Sequence, residues 1–488
     1  MQAALAHRLL SLPALLLAMG GAVPLTGCPT RCEGVGCESR FDAAQVGVLL
    51  GRDRVAFGDS SPIDTTLQVV GTADEGADWA LLLAGGDLVI GAPALGMVVA
   101  LAVGADGTSS LDGASGTLLG ESAADGFGAS LALVPDVDGD GDLELLVGAP
   151  LRATSDTSRR DGAIYLLSGL GEGFAGLQAV GSATIRVAGT TAGGELGQVV
   201  AGCEDMDGDG LGEVAFAAPL LGEGAAFAGK VWVLPASQLA ELGASTTDGD
   251  LHAGWTGRDI GERAGTSLAC QHDLNGDGLA DLAIGAPFAD GVAEAAGAVY
   301  LITAEQLRVA GALPDVAART IKGTSREAWS GWAVATADLD GDGDGDLIVG
   351  APGTDEQTGR VSVYTSLRLS GVEDTARFKI DGSQSGAALG RALQAGDLDG
   401  DGIDDLFVGQ PRFNPGGASD SSYDSGALYW FRGRVDWADW SSTMTTEDAE
   451  IRWVEAQQYL RTGQLLVTGD VDRDGLADLA LLNRIDPG

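Results

Sequence analysis

Six short stretches of this chain put oxygen-bearing side chains on alternate residues. The clearest copies are Asp136-Val-Asp-Gly-Asp-Gly-Asp-Leu-Glu144 and Asp273-Leu-Asn-Gly-Asp-Gly-Leu-Ala-Asp281; the others begin at Asp205, Asp338, Asp397 and Asp470. A carboxylate or carboxamide stands at positions 1, 3, 5 and 9 of each, and glycine holds position 6 as Gly141, Gly210, Gly278, Gly343, Gly402 and Gly475. A hard cation such as Ca²⁺ takes six to eight oxygens at about 2.3–2.6 Å. Alternate residues of a tight loop can turn several carboxylates inward, and glycine permits the turn. Position 7 varies (Asp142, Leu211, Leu279, Asp344, Ile403, Leu476), as expected if it offers only its carbonyl. One such loop is an ordinary Asp-Gly turn; six in phase point to metal binding.

The elements that must position these loops repeat with them. Each loop runs into an apolar strand, which ends in Gly-Ala-Pro in copies such as 136–150 and 273–287. A seventh copy, Asp87-Leu-Val-Ile-Gly-Ala-Pro93, keeps the strand but lacks the acidic loop. A second strand starts at a glycine, as in Gly162-Ala-Ile-Tyr-Leu-Leu and Gly297-Ala-Val-Tyr-Leu-Ile. A third recurs as Thr184-Ile-Arg-Val-Ala-Gly and Arg377-Phe-Lys-Ile-Asp-Gly, and a fourth, as in Gly126-Phe-Gly-Ala-Ser-Leu-Ala-Leu-Val, enters the acidic loop. Alternation and β-branched or aromatic content mark them as strands. Four strands per unit and seven units predict an all-β, seven-bladed propeller. The last unit stops after its second strand, so N-terminal segments, for instance Val46–Leu50 or Arg54–Phe57 and then Thr65–Gly71, are expected to complete it and leave no open edge.

The loops start like an EF-hand, but their acid is at position 9 rather than 12 and a strand follows at once. This pattern resembles the FG-GAP repeat of integrin α-chains over about residues 75–488. The resemblance implies up to six structural Ca²⁺ ions, each between the first and second strands of a blade. Carried over by position, the ligands are Asp136, Asp138, Asp140 and Glu144; Asp205, Asp207, Asp209 and Glu213; and Asp273, Asn275, Asp277 and Asp281. The remaining three sets are Asp338, Asp340, Asp342 and Asp346; Asp397, Asp399, Asp401 and Asp405; and Asp470, Asp472, Asp474 and Asp478. Two loops depart from the rest in carrying Glu at position 9, and Arg473 replaces the position-4 glycine of the last. The resemblance also implies a ligand face opposite the metal loops. There it would include Leu151–Asp161, with Arg152, Arg159 and Arg160, and Arg412–Ser425, with Phe413 and Tyr423.

Composition agrees with such a fold. The net charge is −42, held in short clusters between apolar runs, and no basic stripe exists to neutralise nucleic-acid phosphates. Glycine reaches 77 residues against 15 prolines, which suits many tight turns. Residues 1–27 read as an export signal, with Arg8, an apolar run from Leu9 to about Met19, and the lipobox Leu25-Thr26-Gly27-Cys28. Cys28 is then the lipidated residue, residues 28–40 a tether and residues 41–488 the propeller, held at the bacterial envelope or cell surface by lipid. Cys32 and Cys37 lie in the tether; Cys203 and Cys270 precede successive acidic loops and read equally as an inter-blade bridge or as two buried thiols. No catalytic motif stands out: His7 is in the signal, and His252 and His272 lie in unrelated contexts. Trp329, Trp332, Trp430, Trp437 and Trp440 read first as blade packing. The expected role is therefore a non-enzymatic protein- or glycan-binding module, then a structural envelope protein, and last a calcium-dependent hydrolase or lyase.

Overall fold

The computed structural model describes residues 43–49, 67–70 and 80–485, apart from short segments of the last range, among them 103–113, 154–159, 169–175, 366–375, 417–423, 436–441, 455–460 and 471–475. The expected signal, tether and Cys28, with Cys32 and Cys37, lie outside the described residues.

One repeat shows the rule. Ser130–Val134 enters the first acidic loop, Glu144–Gly148 leaves it, and Ala163–Leu167 and Ile185–Ala188 follow, each antiparallel to its predecessor. The second and third strands are buried along their whole length, which is why they read as unbroken apolar runs. The inner strand is only half-buried, because one side faces the centre of the ring. Inner strands of successive repeats pack side by side, and Leu465–Gly469 returns beside Ala80–Ala84 to close the circle. They surround a central cavity of about 620 Å³. Aromatic pairs strengthen the core: Phe216 stacks on Trp232 with centroids 5.5 Å apart, and Phe127 meets Tyr165 edge-on at 5.5 Å. Burying such a side chain contributes about 1.5–3 kcal/mol.

The expectation of a seven-bladed propeller needs correction, whereas the expected pairing of N- and C-terminal strands in one sheet is found. Six blades, not seven, are each folded from one continuous stretch: residues 80–119, 130–188, 199–256, 267–322, 333–381 and 393–454. The remaining sheet is a splice of both chain ends: Leu465–Gly469 and Asp478–Ile485 from the last repeat, then Ala43–Leu49 and Leu67–Val70. Two of its strands come from the last repeat and two from the N-terminal segment. The expected four strands are found in three sheets. Four blades gain a fifth, parallel outer strand from the segment that follows, as where Thr246–Thr247 pairs with Val187 and Ala188 and Thr443–Thr445 pairs with Lys379–Asp381. These additions cover edges that would otherwise stay open.

Cys203 ends one inner strand and Cys270 follows the next, Ser267–Ala269. They form a buried disulfide between neighbouring blades, with Cα atoms 4.8 Å apart, so of the two readings the bridge is the one realised. Among the described residues, no helix is long and apolar enough to cross a membrane.

Candidate metal centres

The second, third and fifth acidic loops share one pattern of hydrogen bonds at their first aspartate. The first aspartate accepts from the N–H groups of the glycines at positions 4 and 6: Gly208 and Gly210 donate to Asp205 at 2.7 and 2.9 Å, Gly276 and Gly278 to Asp273 at 2.6 Å each. Both glycines lie at positive φ, 82° and 90° in Gly139 and Gly141, a region that penalises any side chain. The position-5 carboxylate accepts from the N–H of position 7, as in Asp140 from Asp142 at 2.9 Å and Asp342 from Asp344 at 2.9 Å.

Position 9 is the most distinctive. Glu144, Glu213, Asp281, Asp346 and Asp405 are fully buried at the start of the second strand. Each accepts the N–H of position 2 (Val137, Met206, Leu274, Leu339 and Leu398) at 2.7–3.2 Å. Burial, aided by neighbouring carboxylates, pushes Glu144 to about 7, Glu213 to about 8, Asp281 to about 7, Asp346 to about 9 and Asp405 to about 7. Glu144 Oε1, Glu213 Oε1 and Asp399 Oδ1 are buried without a hydrogen-bond partner. Glutamate makes the same position-2 bond as aspartate, so the longer side chain keeps the loop's wiring.

The structure brings four sets of ligating oxygens within 4.8 Å of one another: Asp136, Asp138 and Asp140; Asp205, Asp207, Asp209 and Glu213; Asp338, Asp340 and Asp342; and Asp397, Asp399 and Asp405. Oxygens that share one ion at about 2.4 Å lie no more than about 4.8 Å apart. The buried, unpaired carboxylate oxygens and this spacing fit a divalent cation. In the third loop, Asn275 Nδ2 donates to Asp277 and Asp281 at 2.9–3.0 Å; the carboxamide turned over would offer its oxygen instead. In the last loop Asp470 is exposed and Asp478 buried, while Asp472, Asp474 and Arg473 lie outside the described residues.

Three features escaped sequence reading. First, the loops are chained: the N–H of position 8 donates to the position-1 carbonyl of the preceding loop, Ala280 to Asp205 at 2.9 Å, Gly345 to Asp273 at 2.7 Å, Asp404 to Asp338 at 3.0 Å and Ala477 to Asp397 at 2.9 Å. Second, position 7 does more than offer a carbonyl, since Leu279 lies over Gly208 and Ile403 over Gly341 of the loop before. Third, Arg432 reaches the fifth loop, Nε 2.5 Å from Asp399 and an Nη 2.9 Å from Asp401. Only the apolar type of Leu279 and Ile403 hinted at any of this.

The opposite face is built on a second repeated frame. Glu195, Arg263, Trp329, Ala388 and Arg461 all have φ between 51° and 59°. Their N–H groups donate to the carbonyls of Arg160, Phe227, Ala295, Gln357 and Asp424 at 2.8–3.3 Å. This conformation costs an L-residue roughly 1–2 kcal/mol, yet its five positions carry four different residue types. Trp329 and Trp332 are half-buried here beside Phe288, with centroids 5.9–6.4 Å apart; Arg263 lies over Phe288 and Arg391 over Trp332. Trp430, by contrast, is buried and stacks on Phe407. Of the expected ligand-face residues, Arg152 is buried and pairs with Glu121, Arg160 is exposed beside Glu195, and Phe413 is buried under Arg452; Arg159 and Tyr423 lie outside the described residues, as do Trp437 and Trp440. His272 accepts or donates at Thr336 Oγ1 (3.1 Å) and stands 3.5 Å from Asp404, at the rim of the central cavity; His252 lies outside the described residues.

A ring of β-blades with a carboxylate-rich turn between first and second strands defines an acidic-loop β-propeller. The FG-GAP repeat family matches residues 127–167, 196–234, 264–302, 330–364 and 389–429, and the chain is an FG-GAP β-propeller. It is related to integrin alpha-PS2 of Drosophila melanogaster, 30% identical over 158 residues, 32% of this chain and 10% of that one. It is likewise similar to phosphatidylinositol-glycan-specific phospholipase D of Bos taurus, 32% identical over 196 residues, 37% of this chain and 23% of the relative. Human integrin alpha-IIb is 33% identical over 181 residues, 36% of this chain and 16% of its own length. The chain thus spans less than a quarter of these relatives. Among solved structures, the WD40 domain of Toxoplasma gondii coronin aligns with 84% of this chain and 81% of its own at 10% identity and a TM-score of 0.44, too distant to bear on function.

Proposed function

We propose that this protein is a calcium-loaded recognition module of the cell surface, anchored by lipid at Cys28 and without enzymatic activity. The observation that supports calcium is the run of buried ninth-position carboxylates, two of which, Glu144 and Glu213, have an unpaired oxygen, together with four close sets of loop carboxylates. The first-, third-, fifth- and ninth-position side chains would hold the ion, which would neutralise loops that otherwise repel themselves and add stability by binding only the folded state. The lipobox and apolar run support the anchor. Recognition is supported by the opposite face, where a fixed left-handed frame presents varied side chains, a pattern in which strain marks functional surfaces. The rim group His272, Thr336 and Asp404 favours packing over catalysis, because Asp404 also accepts the Asp338 N–H at 3.0 Å and so ties two loops together.

The test is capture. The purified protein is immobilised and offered cell-surface glycans, matrix proteins and envelope extracts, in calcium and then in chelator. Specific capture, released by chelator and weakened by Trp329→Ala or Arg263→Ala, is the expected result. A folded, calcium-loaded protein that captures nothing would move the reading to a structural envelope role.

A further inference from the structure

The fifth loop differs from its neighbours in what lies across it. Gly433 passes so close to the loop that a side chain there would strike the Asp404 carbonyl, and its N–H donates to Asp405 Oδ1 at 2.9 Å. The N–H of Arg434 donates to the Leu339 carbonyl of the fourth loop at 3.0 Å. This short strap fixes the backbone of Arg432, whose guanidinium pairs with Asp399 and Asp401, two of the four expected ligands. The Asp399 side chain is 10% exposed and its Oδ1 has no partner, whereas the Arg432 side chain is 41% exposed. The arginine therefore neutralises the loop without satisfying it, and it has solvent to swing into when displaced.

We infer that Arg432 is a built-in counter-cation of the fifth loop, which makes that loop a weaker Ca²⁺ site than the first, second and fourth and the first to empty. The inference rests on the calcium reading above. The guanidinium holds an oxygen of Asp399 and one of Asp401 and draws off negative charge that a divalent cation needs, so calcium entering the loop works against both ion pairs. Two partly screened pairs should weaken the site about tenfold. When calcium falls, the arginine takes the ion's place and limits the repulsion left behind, so one site can discharge while the ring stays closed.

The experiment is a calcium titration by calorimetry on the purified protein, beside Arg432→Gln and Arg432→Lys. The wild-type isotherm should contain one weaker site. Arg432→Gln should tighten that site about tenfold and leave the others unchanged, with Arg432→Lys, which keeps charge but loses the fork, between them. Melting in chelator and in calcium supplies a second readout: Arg432→Gln should melt lower than wild type in chelator and no lower in calcium. A purely structural ion pair would lower both. If Arg432→Gln binds calcium with the wild-type profile, the inference is overturned and the calcium reading survives. If none of the proteins binds calcium, both fall. Should Arg432→Gln fail to fold, Arg432→Lys carries the test alone, and an isotherm identical to wild type overturns the inference.

Discussion

A carboxylate buried at the mouth of a strand, beside three others, is held against its electrostatic preference. Glu213 shows the case most clearly: it is fully buried, pushed to about 8, bonded through one oxygen to the Met206 N–H and unpaired at the other. Glu213→Gln keeps the shape and removes the charge. It should raise the melting temperature in chelator at pH 8, where the wild-type charge is costly, and lower the gain that calcium gives. Glu213→Ala should be destabilising in both conditions by about 1–3 kcal/mol, because the buried Met206 amide loses its acceptor. Thermal melts of the three proteins with and without calcium check this. The side chains of such a loop were legible from spacing alone. Their burial was not, because Glu144 and Glu213 read in sequence like turn acids, and only the second strand and the chained neighbouring loop take them out of water.

Between elements, contact is made by backbone as much as by side chains. Gly285 ends a second strand, and a Cβ there would collide with the Gly331 carbonyl at the start of the next blade; Gly409 faces Gly463 in the same way. The Gly-Ala-Pro phrase therefore repeats because blades touch at its glycine. Gly285→Ala should push two blades apart and cost about 1–3 kcal/mol, seen as a lower denaturation midpoint with little change in slope. The Cys203–Cys270 bridge ties the blades on either side of an adjacent interface. Replacing both cysteines by alanine should lower stability by about 2–4 kcal/mol, and thiol titration of the wild type should find this pair protected until it is unfolded and reduced. Strand identity was legible because the apolar runs are regular. The parallel fifth strands were not, because two-residue pieces such as Thr246–Thr247 and Gly311–Ala312 carry no period to read.

At the scale of the whole ring, the acidic loops act together, because the third to the last each hand a hydrogen bond to the one before and five loops bury a carboxylate held above its ordinary value by burial. The sign of the pH dependence follows. An acid raised in the folded state keeps its proton there while the unfolded chain, with ordinary values near 4, has released it. Between about pH 4 and the folded values of about 7 to 9, the native protein thus binds more protons, and stability falls as pH rises. Without metal, the protein should be most stable in mild acid and melt progressively lower from pH 5 to pH 9. On the proposed calcium reading, calcium should reverse the slope, because a cation held by the loops engages their deprotonated form and competes with the same protons. In excess calcium the melting temperature should therefore rise over pH 5 to 7 and then level off. The gap between the calcium and chelator curves should widen steadily toward pH 9. Parallel curves would mean that the buried carboxylates are not the groups the cation engages. A melt series in both conditions, read by circular dichroism at each pH, decides it. The Arg432→Gln protein run alongside should widen the gap further, since it removes the arginine cation that eases the metal-free fifth loop.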